Sequence, residues 1–209
     1  MQQAGKGKRL SMQDIKFLNI DYLYQGTEKQ RQAALVMDDL RLFAHLAPYD
    51  PILVGTIPIG IDIPGSDLDI ACRVTDFAAF EQTIHEVFGH LPDLSVVSRN
   101  VNGMDRIVVR FRYKGWIFEI FGQPVPTKQQ NGYRHMVVEY RLLQLIGEAG
   151  RERIIELKQA GIKTEPAFAE LLGIPGDPYA ALLDMYNWSD DRLSGFYHKL
   201  LARERNEDE

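Results

Sequence analysis

Apolar residues recur at helical spacing at Ala34, Met37, Leu40, Leu42 and Leu46, one face of a 3.6-residue period. Thr27 and Gln30 stand before that run with the spacing of a capping box. The period then shortens. "PILVGT" at 51–56 is a short apolar strand broken by Gly55, and "DLDIACRV" at 67–74 alternates as a second strand. A helical period returns in "FAAFEQTIHEVFGH" at 77–90, opened by Asp76 as N-cap and stopped near Gly89. "LSVVSR" at 94–99 is a weaker strand. Residues 106–122, "RIVVRFRYKGWIFEIFG", read as a hairpin about a Lys114-Gly115 turn.

The polar, proline-containing stretch "GQPVPTKQQNG" at 122–132 has no periodicity and marks a boundary. Beyond it the pattern is helical: a long stretch at 133–150, then shorter ones at 151–161, 165–173 and 177–186. Gly161 and Gly173 read as terminators, and Pro166 and Pro178 as first-turn prolines. Thr164, Asp177 and Ser189 read as caps, the last for a helix through Leu201. The predicted fold is α+β: a mixed sheet packed with helices, followed by a helical C-terminal half. The predicted organisation is a flexible lead-in at 1–26, a core at 27–125, a helical region at 126–203 and a frayed tail at 204–209.

Composition narrows the partners. The 209 residues are 45% hydrophobic and 25% charged, enough for a sizeable core. A net charge of −5 argues against extended nucleic-acid binding. Cys72 is the one cysteine, so no disulfide framework exists within the chain; it reads as a small buried strand residue. No run of about 18 apolar residues offers a membrane span, and the basic opening lacks the apolar stretch of a secretion signal. The expectation is a cytoplasmic protein without a membrane partner.

The chemistry concentrates at "GTIPIGIDIPGSDLDI", residues 55–70. Alternation along a strand puts Asp67, Asp69, Ala71 and Arg73 on one face and Leu68, Ile70, Cys72 and Val74 on the other. Two carboxylates at i and i+2 repel, and burial sharpens the repulsion. A divalent cation reverses its sign. Mg2+ (or Mn2+) takes one or two carboxylates together with substrate phosphates. An acid pair at an exposed strand edge beside Arg73 is the plainer reading of a bare Asp-x-Asp. Gly60 and Gly65 let backbone approach a ligand, and the Thr56 and Ser66 hydroxyls stand where phosphate oxygens could be cradled. A two-residue hairpin turn makes Arg110 face Glu119, on a face shared with Arg106 and Arg112. Glu119 is either half of an ordinary cross-strand pair or the third carboxylate of a metal site, with arginines near phosphates.

These residues resemble the nucleotidyltransferase superfamily typified by DNA polymerase β. The likeness lies in Gly55-Thr56, ten intervening residues, "DLD" at 67–69 and the later strand acid in "IFEIF", and covers about residues 50–121. The whole chain also resembles a bacterial family of nucleotidyltransferase-like proteins to which no activity is attached. The resemblance implies that Asp67, Asp69 and Glu119 bind Mg2+ and serve catalysis. It implies that Gly55, Thr56 and Ser66 contact a nucleoside triphosphate such as ATP, with Arg73 and Arg110 supplying positive charge. The implied reaction is transfer of a nucleoside monophosphate, AMP foremost, to a hydroxyl of a small-molecule or protein acceptor, with release of pyrophosphate. Three departures stand out. Thr56 replaces a commoner Gly or Ser, Glu119 a commoner Asp, and no Lys or Arg lies between Arg41 and Arg73.

The alternative is a protein of this fold that binds nucleotide or a protein partner with weak or no catalysis. A nucleotide-sugar transferase, which also uses an acidic Asp-x-Asp, ranks lower because no long apolar donor-binding half is evident. His135 and Glu139, four apart on one helix face, are either a cleft-lining pair or a helix-stabilising surface pair; the second is the expectation.

Overall fold

Five strands, β1 (Ile52–Val54), β2 (Leu68–Arg73), β3 (Ser95–Val101), β4 (Met104–Tyr113) and β5 (Trp116–Gln123), form one sheet in the order β1-β2-β5-β4-β3. The computed structural model describes residues 16–207. β2 and β5 are parallel and the other neighbours antiparallel, so the sheet is mixed. The β4–β5 hairpin has the predicted register, with Phe111 opposite Phe118, Val109 opposite Ile120 and Arg110 opposite Glu119. Lys114 and Gly115 both hold positive φ, the backbone demanded by the turn whose twist matches flanking strands.

One face of the sheet carries Leu68, Ile70, Cys72, Ile107, Val109, Phe111, Phe118 and Ile120 into a core. Helices α1 (Glu28–Asp39), α2 (Leu42–Leu46) and α3 (Phe77–Phe88) cover it. The Thr27–Gln30 capping box is formed, and Asp76 caps α3 through the Ala79 N–H. Cys72 is buried, and burial holds its thiol well above the ordinary value.

At the β1–β2 end the other face packs against the helical half, made of α4 (Asn131–Gln159), α5 (Thr164–Leu171), α6 (Pro178–Met185) and α7 (Asp190–Glu207). Ile52, Val54 and Ala71 of the sheet share one buried cluster with Tyr133, Val137, Leu142, Phe168 and Leu182 of these helices. The helical half therefore completes the core of the sheet.

Several local expectations are revised. Phe17, Ile20 and Leu23 are buried and residues Asp21–Gln25 form a 3-10 turn, so the described part of the lead-in packs on the body; residues 1–15 lie outside the described residues. The long helical stretch breaks at Gly147, whose φ of 67° and ψ of −164° leave the helix, rather than near Gly150. Lys163, not Thr164, is the N-cap of α5, and its side chain makes no cap bond. The last helix outruns Leu201 and reaches Glu207, so the described part of the predicted tail is helical. Gly161 and Gly173 do end helices with positive φ.

Candidate functional site

A cleft of about 600 Å³ lies between the sheet and the helical half. Its sheet wall contains Gly55, Thr56, Asp69, Ala71, Arg106 and Glu119. Its opposite wall contains Gln130, His135, Glu139, Thr164 and Glu165. Alternation explains the sheet wall: Asp69 and Ala71 leave β2, and Glu119 leaves β5, on the side away from the first core. Asp69 and Glu119 are register partners on adjacent parallel strands, so the two acids are brought side by side.

Asp69 is pushed up to about 8. Burial is the main cause, and the nearby charges of Asp67 and Glu119 add to it; Arg110 and Lys158 oppose it. Gly55 is packed against this carboxylate. Its φ is +81°, and a Cβ there would run into Asp69 Oδ2. The glycine of the Gly-Thr pair is thus required by backbone conformation and by the acid beside it.

The other sequence-predicted residues divide. Thr56 lines the cleft. Asp67 is half-buried just before β2 and is close enough to repel Asp69, but it is outside the cleft lining, as are Ser66, Arg73 and Arg110. The Ser66 hydroxyl accepts from the Ile63 N–H at 3.0 Å, closing its own turn. Arg73 is exposed at the end of β2. Arg110 Nε donates to Glu119 Oε2 at 2.6 Å, and its Nη2 also pairs with that oxygen. The ordinary cross-strand pair therefore exists, and it ties one oxygen of Glu119. Gly65 has positive φ and open space around it.

His135 and Glu139 are not a surface pair. They are 8% and 3% exposed and face the cleft. Helical spacing put them on one face but could not say what covers that face. His135 Nδ1 meets Glu165 Oε1 at 3.2 Å, and its Nε2 meets the Tyr179 carbonyl at 3.0 Å. Burial pulls the imidazole down, but the bonds to Glu165 and Tyr179 O outweigh it and leave the group above its ordinary value. The Glu165 carboxyl, raised by burial, is brought below its ordinary value by His135. Glu139 is pushed up to about 8, by burial first and by Glu165 second.

The positive charge missing from the 55–66 loop comes from the helical half. Lys158 Nζ donates to Ile61 O at 2.6 Å, and Arg151 Nη1 to Ile59 O at 2.5 Å and Gly60 O at 3.1 Å. Gln30 Nε2 from α1 takes Ile57 O at 2.8 Å and Pro58 O at 3.2 Å. Five successive carbonyls are held by three side chains. Lys158 is buried and lies within electrostatic reach of Glu139, Asp62, Glu165 and Asp69; burial lowers its pKa. Nothing in the local sequence marks Lys158, whose partner is 97 residues away.

Among the described residues, no group of three or more His, Cys, Asp or Glu side chains is gathered as a ready metal-ligand set. The donor chemistry nonetheless fits a hard divalent cation at the Asp67–Asp69 pair. The half-buried Asp69 carboxyl, crowded by Asp67 and Glu119 and with one oxygen of Glu119 left by Arg110, belongs to a set of oxygen donors whose mutual repulsion a cation would relieve. No helix among the described residues is long and apolar enough to cross a membrane.

A family profile described as "Domain of unknown function (DUF4269)" matches residues 35–185. No curated protein matches the chain. Similar solved structures include that of the GLD-2/RNP-8 complex, at 12% identity and TM-score 0.47 over 74% of this chain and 63% of that one. The Cid1 poly(U) polymerase bound to MgGTP aligns at 13% identity and TM-score 0.47, over 75% and 50% of the two chains. A Cid1 structure described for RNA terminal uridylyl transferase activity aligns at 12% identity and TM-score 0.49, over 73% and 52%. The chain thus spans less than two thirds of the length of each.

Proposed function

The chain belongs to the family described as Domain of unknown function (DUF4269), and on that premise we propose that its cleft transfers a nucleoside monophosphate, AMP from ATP, to an acceptor hydroxyl and releases pyrophosphate. The observation that carries this reading is the pairing of Asp69 with Glu119 in register on one cleft wall, against a Gly55 that has no room for a side chain.

Asp67 and Asp69 would hold Mg2+, and Glu119 would add the oxygen that Arg110 does not take. Bound there, Mg2+ supplies charge neutralisation for the triphosphate and lowers the cost of the leaving pyrophosphate. The acceptor oxygen attacks the α-phosphorus, the bond to the bridging oxygen breaks, and the acceptor proton passes to a base. His135 is a poor base, because both ring nitrogens already face an acceptor oxygen. Glu139 is the better one. It lines the opposite wall, and its carboxyl, at about 8, is poised near neutral pH. The acceptor is a small molecule or a protein side chain presented to the helical wall.

A second reading, nucleotide binding without turnover, is favoured by the Arg110–Glu119 pair and by the lack of a gathered three-acid set among the described residues. Pyrophosphate release from ATP and Mg2+, with extracted metabolites or proteins as acceptors, separates them. Release by the wild type and its loss in Asp69→Asn supports transfer. Saturable ATP binding with no release supports the second reading.

A further inference from the structure

Two residues lining the cleft each carry a buried polar atom that the fold leaves unpaired. Gln130 is 2% exposed and lines the cleft, yet its Oε1 has no donor. Its orientation is determined: Nε2 donates to Cys72 O at 2.8 Å and Val125 O at 3.0 Å. Turning the amide over would set its oxygen against two carbonyls. Arg106, in the facing sheet wall, has a buried Nε with no acceptor. It lies one residue beyond the Ile107–Gly122 pair, beside Gln123, the residue two before Val125. An acceptor without a donor and a donor without an acceptor therefore belong to residues lining the same cleft. Met104, Phe121 and Val125 supply apolar surface around them.

Buried polar atoms are normally satisfied, and leaving them unpaired is costly. A ligand edge with an N–H donor beside a nitrogen acceptor would satisfy both. Adenine and cytosine carry such an edge, an exocyclic amino group next to an unprotonated ring nitrogen. Hypoxanthine and uracil carry the reverse, a carbonyl next to a ring N–H. We propose that Gln130 and Arg106 form the base-reading end of the cleft and select a nucleotide with an amino-bearing base, adenine or cytosine. This rests on the nucleotide reading of the cleft given above and adds the feature of the base that is recognised.

The test uses the full-length wild type, titrated calorimetrically in Mg2+ with ATP, ITP, CTP and UTP. Each pair differs at the amino group and its neighbouring nitrogen. A site built on hydrogen bonds rejects the analogue that reverses them, so ATP over ITP, or CTP over UTP, is expected to bind at least about tenfold tighter. In Gln130→Met the ratio should fall towards one while the remaining affinity persists. Should that variant fail to fold, judged by its melting curve, the wild-type ratios still decide. Equal binding within both pairs, or a full ratio in a folded Gln130→Met, overturns base selection and leaves the nucleotide site standing. Binding of none of the four overturns the nucleotide site itself, and base selection with it.

Discussion

Glu139 is an acid with almost no contact with water, placed where its charge is disfavoured by burial and by Glu165. Its folded pKa, about 8, lies above the ordinary carboxyl value near 4.3. Between those pH values the folded state binds more protons than the unfolded one, so stability falls as pH rises through that window. The His135 imidazole, held above its ordinary value, contributes with the same sign. Glu139→Gln should remove the Glu139 contribution: the wild-type melting temperature falls from pH 5 to pH 8, and the variant's falls less. Melts across that range check this, and parallel slopes would show that Glu139 is ionised throughout. The same substitution should cost about 10²-fold or more in kcat if Glu139 takes the acceptor proton, with KM for ATP little changed.

At the scale of elements, the loop from Thr56 to Ile61 is held from outside. Its carbonyls at 57–61 are taken by Gln30, Arg151 and Lys158, which ties α1 and α4 to the segment leading into β2. Lys158→Met leaves Ile61 O without its donor and removes a buried positive charge near Asp69 and Glu139. We expect a loss of about 1–3 kcal/mol in stability and faster amide exchange confined to 56–66. Unchanged exchange there would mean that the loop holds itself. The hairpin was legible in the sequence because a two-residue turn at Lys114-Gly115 dictates every pair above it, and so Glu119 could be placed beside Arg110. Thr27 and Asp76 were legible because capping is local. The helical wall was not. The i, i+4 spacing of His135 and Glu139 sets a face but not what packs on it, Lys158 meets its partner through tertiary contact alone, and the Gly147 break looks like any helical glycine.

At the scale of the whole molecule, sheet and helices are two halves of one core. Phe17, Ile52, Val54 and Ala71 are buried against helices from beyond residue 126, and burial of apolar surface is the dominant favourable term in folding. A fragment ending at residue 125 should therefore lack a cooperative thermal transition and should expose apolar surface to a hydrophobic dye. A sharp, reversible melt of that fragment would show instead that the sheet and its first three helices suffice. The shared core also explains why the cleft sits where it does: its two walls belong to the two halves, so the carboxylates of β2 and β5 share a cleft with Glu139 and His135 only in the assembled fold.

We propose that the half-buried acids of β2 and β5, Asp69 and Glu119, form a divalent-cation and nucleotide site. Calorimetric titration of ATP with and without Mg2+, on the wild type and Asp69→Asn, tests it most directly. We expect saturable wild-type binding that requires Mg2+ and a loss of at least about tenfold in Asp69→Asn, whose melting temperature is unchanged or raised because a disfavoured charge has gone. Equal ATP affinity in the two proteins, or a steep fall in melting temperature with binding intact, would make Asp69 a structural residue and contradict the account.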